Sequence, residues 1–124
     1  MRVVIADENI VHRKKLRQIL EEHEYVVIDE AANGLHAYNK VVDLKPDLTI
    51  MSINMPIHDG VSALKRIKQY DNNASVIMLS ESGQNKEIFE SLSGGALHYI
   101  TKPIEPFQVI KVLDDVRKLR NGMV

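Results

Sequence analysis

Five short apolar runs, each followed by a longer stretch of helical spacing, constrain this chain more than any other feature. The runs are VVIA at 3–6, YVVI at 25–28, LTIM at 48–51, SVIML at 75–79 and LHYI at 97–100. Rich in β-branched residues and without the polar alternation of a strand that has one wet face, they predict strands buried on both sides. Between them the period changes. His12, Leu16, Ile19, Leu20 and His23 form a stripe that predicts a first helix with its histidines at the core edge, and Val109, Val112, Leu113 and Val116 repeat the pattern late in the chain. Alternating strands and helices require crossover connections, which are right-handed and leave helices on both faces of a parallel sheet.

Turn chemistry agrees with these boundaries. ANG at 32–34 and HDG at 58–60 suit caps and tight turns, SGG at 93–95 suits a helix end, and Pro106 fits the first turn of the last helix. A length of 124 residues with 44% hydrophobic residues supports one core, so a single domain over 1–124 is expected. The absence of cysteine excludes disulfides, thiolate metal sites and cysteine nucleophiles. The apolar run at the N-terminus is broken by Asp7 and Glu8, too early for a signal peptide or a membrane span, which points to a cytoplasmic protein with no membrane partner. A net charge of −1 and the lack of a recognition motif make HRKKLR at 12–17 and RKLR at 117–120 solvated helix faces rather than nucleic-acid contacts. Met51 and Met55 are expected to fill the core.

In an open parallel sheet, ligands gather beyond the carboxyl ends of the strands. The strand exits here read Asp7-Glu8-Asn9, Ser52-Ile53-Asn54, Ser80-Glu81-Ser82 and Thr101-Lys102-Pro103. Two adjacent acids at a buried strand end call for a cation, and a hard ion such as Mg²⁺ could take Asp7, Glu8 and the backbone carbonyl of Asn54. An acidic solvated loop whose Asp or Asn caps the next helix explains the same residues. Lys102 reads either as an ammonium aimed at a phosphoryl oxygen or as a solvated lysine, and Ser80 as a hydrogen-bond donor to a phosphate or a turn cap. The Lys102–Pro103 bond is a candidate for the cis form.

The runs VVIADEN, PDLTIMSINMPIHDG, SVIMLSE and HYITKPIEP, in that order, resemble the receiver domain of two-component response regulators over the whole chain, most specifically in INMPIHDG and YITKP. With no output domain attached, the chain is similar to the stand-alone, CheY-like group of chemotaxis regulators. The resemblance implies a (βα)5 flavodoxin-like sandwich with a five-stranded parallel sheet in the order 2-1-3-4-5. It implies that a strand-three aspartate takes a phosphoryl group from a histidine kinase with the help of Mg²⁺ and a lysine. By the same resemblance the metal site maps to Asp7, Glu8 and the Asn54 carbonyl, the switch residues to Ser80 and Tyr99, and the lysine to Lys102. Tyr99 also reads as an ordinary amphipathic residue at a sheet edge.

The acceptor position falls on Ser52, a protonated hydroxyl where the family carries an ionised carboxylate. Glu8 stands for the second acid of the pair, one methylene longer, and Glu81 stands where a small residue is usual. Three departures in one pocket predict a receiver that has lost phosphorylation, keeps at most a weak Mg²⁺ site and signals by binding. An ordinary regulator silenced by one engineered Asp-to-Ser change is the alternative. The implied partners are a histidine kinase or a downstream signalling protein, met on the last helix, the fifth strand and the helix before it, near Lys86, Tyr99 and Lys102, by a monomer or weak dimer. A flavodoxin-like enzyme or carrier is disfavoured, because ADENIVHRK offers acids where a cofactor phosphate needs backbone N–H donors. No enzymatic activity and no organic cofactor are expected.

Overall fold

The computed structural model describes residues 1–122. Its elements alternate: β1 (Arg2–Ala6), α1 (Ile10–Glu22), β2 (Val26–Ala31), α2 (Gly34–Leu44), β3 (Leu48–Ser52), α3 (Gly60–Tyr70), β4 (Val76–Ser80), α4 (Asn85–Ser93), β5 (His98–Thr101) and α5 (Pro106–Arg120). The five strands are parallel and ordered β2-β1-β3-β4-β5, as the resemblance implied. The order reverses between β1 and β3, which opens a crevice at the carboxyl ends of these neighbours.

The strand period of two splits the core. Ile50 and Ile77 join Leu16, Ile19 and Leu20 of α1 and Val109, Val112, Leu113 and Val116 of α5 on one face. Met51 and Met78 join Ala37 and Val41 of α2 and Ala63, Leu64 and Ile67 of α3 on the other. Every residue of β3 and β4 is buried, which explains their unbroken apolar sequences. Asn9, Asn33 and Asp59 cap α1, α2 and α3 through side-chain oxygens, and Pro106 opens α5. Among the described residues no helix is long and apolar enough to cross a membrane.

Three expectations need correction. The second strand continues past Ile28 through Asp29 and Glu30 to Ala31. It is an edge strand whose acids are met by Arg13, Arg17 and Lys40, so charge does not terminate it. His23 lies outside the core: it is exposed at the end of α1, its Nδ1 at 2.8 Å from the Ile19 carbonyl. The basic run at 12–17 is not uniformly solvated either, since Arg13 and Arg17 both bind Glu30.

Candidate functional site at the carboxyl edge of the sheet

Ser52 ends the central strand and is 1% exposed. Its neighbours pin it from both sides. The Ile53 N–H donates to the Leu79 carbonyl at 2.9 Å, and the Gly60 N–H donates to the Ile53 carbonyl at 2.7 Å. A Cβ at Gly60 would overlap the carbonyl oxygen of Ser52, so the start of α3 rests directly on the strand end. The intervening loop carries Ile57 at φ 70°, a left-handed conformation that a β-branched residue adopts only under strain.

Lys102 reaches this point from the far side of the sheet. Its N–H donates to the Ser80 carbonyl at 2.8 Å, continuing the β4–β5 ladder past Thr101, and its peptide bond to Pro103 is cis. The side chain is only 8% exposed, and its Nζ lies 2.8 Å from Asp7 Oδ2, 3.4 Å from Ser52 Oγ and 3.5 Å from Glu81 Oε1. Three of the predicted pocket residues therefore converge on one ammonium. The other predicted pocket hydroxyl, Ser80 Oγ, is fully buried and lies 3.3 Å from Thr101 Oγ1.

Asp7 is held rigidly. Its N–H donates to the Ala31 carbonyl at 3.0 Å, its Oδ1 accepts from the Asn9 N–H at 2.9 Å, and its carbonyl accepts from Arg13 Nη1 at 2.6 Å. Asp7 Oδ2 makes no regular hydrogen bond, although the Lys102 ammonium touches it; the short distance establishes the charge contact even where the angle is poor. Asn9 caps α1, as one reading of the acidic loop expected, while the cation that meets the buried Asp7 is the Lys102 ammonium. Glu8 is exposed. Asn54 is exposed too, and its Oδ1 accepts from Gln84 Nε2 at 2.9 Å, while Gln84 Oε1 accepts from the Glu81 N–H at 2.7 Å. Tyr99 stands half-buried on β5 against the second core, and its hydroxyl takes no part in the Lys102 cluster.

Two contributors escaped sequence reasoning. Gln84 ties the loop after β4 to the loop after β3, and a lone polar residue before α4 gives no signal of that span. His12 was read as part of the core stripe, yet its Nδ1 faces Asp7 Oδ2 at 3.4 Å. With Asn9 as the cap, His12 is the third residue of α1, the position whose side chain reaches back over the preceding loop; the cap could have disclosed it.

Among the described residues no group of three or more His, Asp or Glu side chains is drawn together for a metal. A test of Mg²⁺ against the residues present gives a poor match. Asp7 offers one buried carboxylate whose Oδ2 already meets the Lys102 ammonium, Glu8 sits in solvent, and Ser52 supplies a neutral hydroxyl.

The side chain of Lys102, which follows the edge strand β5, thus meets Asp7 beyond the carboxyl ends of the parallel strands, where such sheets place their ligands. The response regulator receiver domain model matches residues 3–114, so the chain belongs to that family. It is 38% identical to the chemotaxis protein CheY of Thermotoga maritima over 94% of this chain and 98% of that protein. It is 40% identical to CheY of Halobacterium salinarum over 92% and 94%. Among solved structures it is similar to the CheX-CheY-BeF3-Mg complex from Borrelia burgdorferi, with a TM-score of 0.87, 33% identity and coverage of 96% of this chain and 88% of that one. The response regulator domain of Thermotoga maritima CheB gives a TM-score of 0.85 at 34% identity, covering 98% and 96%.

Proposed function

We infer that this chain is a receiver of two-component, chemotaxis-type signalling that works by binding, without an aspartyl phosphate. The observation that carries the reading is Ser52, buried at the end of β3 with its Oγ 3.4 Å from Lys102 Nζ, where the family's acceptor carboxylate would stand. A serine there needs a base to become a nucleophile, and an ammonium lying between Asp7 and Glu81 has no lone pair to offer. That argues equally against a hydrolytic enzyme built on Ser52 and Lys102. Glu81 returns a negative charge to the lysine that the serine does not supply.

The residues that would hold Mg²⁺ are Asp7, Glu8 and the Asn54 carbonyl. When bound, the ion would supply charge neutralisation for a phosphoryl oxygen. Loss of a carboxylate at 52 and exposure of Glu8 make this a weakened site. Ser80 and Tyr99 keep the switch positions, and Lys102 keeps the lysine. The partner surface is α4, β5 and α5: Phe89, Leu92 and Phe107 are 72%, 43% and 82% exposed there, large apolar side chains suited to a kinase or a downstream signalling protein.

The test uses fluoroberyllate, which bonds to a carboxylate oxygen as a phosphoryl group does. With Mg²⁺ present, amide resonances of Ser52, Ser80 and Lys102 stay unshifted in this protein and shift in Ser52→Asp. Shifts of the same size in the unaltered protein would refute the reading.

A further inference from the structure

We propose that His98 is a proton-driven switch on β5, exchanging the N–H of Tyr99 for the Tyr99 carbonyl when its imidazole gains a proton. The Tyr99 N–H donates to His98 Nδ1 at 2.8 Å, so Nδ1 is the bare nitrogen and the proton of the neutral ring sits on Nε2. Nε2 in turn faces Asp115 Oδ2 on α5 at 3.3 Å. The tautomer is thus set from both ends of the ring.

A second proton can go only to Nδ1, where it meets the Tyr99 N–H. One hydrogen bond then becomes two opposed donors. An acceptor is at hand, because the Tyr99 carbonyl lies 3.1 Å from the same nitrogen. The imidazolium trades N–H for C=O by a small turn of the ring, while its Nε2–H keeps Asp115 in a charge-assisted bond. A cleft of about 220 Å³, lined also by Gln108, Lys111 and Val112, lies beside the ring and gives it room to turn. The side chain is 30% exposed, so protons reach it from solvent.

The groups around the ring are few. Asp115 and Lys111 face it from α5, the Lys111 ammonium lying 3.8 Å from Asp115 Oδ2. The Tyr99 ring on β5 has its centroid 5.9 Å away, and β4 is apolar up to Ser80. Because β5 is the edge of the sheet, no further strand lies beyond it to take up a released N–H. Protonation therefore leaves a cationic ring and a free donor on this edge, and both favour a partner that brings a carboxylate or a carbonyl. That consequence rests on the reading of α4, β5 and α5 as the partner surface, whereas the switch itself does not.

The full chain is followed by NMR between about pH 8 and pH 5, the range in which imidazoles titrate. Ring ¹⁵N shifts place the proton of the neutral form on Nε2. Hydrogen exchange at the Tyr99 N–H, taken relative to an unstructured peptide at each pH, speeds up about tenfold as His98 titrates, the worth of one net hydrogen bond. His98→Asn, checked for native circular dichroism, sets an amide oxygen where Nδ1 stands and carries no titrating group, so its Tyr99 N–H keeps the same protection across the range. Neither a partner nor a phosphodonor is used, so failure of the switch and failure of the binding-receiver reading appear in different experiments. A neutral ring protonated on Nδ1, Tyr99 protection unchanged through the His98 titration, or the same loss in His98→Asn would each overturn the proposal.

Discussion

Two clusters of charge flank the first helix, and they are built on different rules. At the β2 edge Glu30 accepts from Arg13 Nε at 2.9 Å and Arg17 Nε at 2.8 Å, one guanidinium to each oxygen, while Lys40 lies 3.0 Å from Asp29 and also donates to the Glu30 carbonyl at 2.6 Å. Charges are matched, distances are short, and water reaches all of them. At the carboxyl edge of the sheet one buried ammonium is divided among Asp7, Ser52 and Glu81, with two of the three contacts at 3.4 Å or more, and the buried His12 Nδ1 makes no hydrogen bond. The first cluster secures an edge strand. The second leaves interactions incomplete at the carboxyl ends of the strands, where a parallel sheet places its ligands.

The contrast can be broken from either side. The largest effect belongs to Lys102→Met, which strands a buried carboxylate: urea unfolding should show a loss of about 3 kcal/mol. A loss under about 1 kcal/mol would mean that Asp7 is as well solvated as the edge acids. Glu30→Gln comes next. Its arginines can turn to water, so a loss of about 1 kcal/mol is expected in the same assay, together with faster amide exchange along β2.

Asp29→Asn should change stability least, by a few tenths of a kcal/mol at neutral pH, as suits a half-exposed pair. Its pH dependence carries the information. The Glu30 N–H, then the Lys40 ammonium, hold the Asp29 carboxyl below its ordinary value of 3.8. A depressed folded-state value stabilises the protein above that pH and ceases to do so as pH falls through it. The gap between the two proteins should therefore persist at neutral pH and close on acidification below 3.8, measured by thermal unfolding across that range.

The sequence discloses the two clusters unequally. Alternation of buried runs and helical stripes fixes the layers, and Asn33, Asp59 and Pro106 mark helix starts where they occur. Asp7, Ser52, Ser80, Glu81 and Lys102 stand at strand exits, so the fold alone brings them to one edge. The β2 network was not legible: Asp29 and Glu30 look like the end of a strand unless one knows that Arg13, Arg17 and Lys40 come to lie over them. His12 fits an apolar stripe by spacing, and only the helix start at Asn9 turns it toward Asp7. Side chains whose role depends on a partner distant in sequence leave no local signal, and Gln84 with Asn54 is the plainest case.

A serine at the end of β3 should end phosphoryl transfer while the lysine beside it stays poised. Intact mass after incubation with acetyl phosphate and Mg²⁺ measures this directly on the unaltered protein, on Ser52→Asp and on Ser52→Asp combined with Glu81→Ala. The unaltered protein should carry no adduct and each variant one phosphoryl group, with the double variant modified faster. A phosphoryl adduct on the unaltered protein would contradict this.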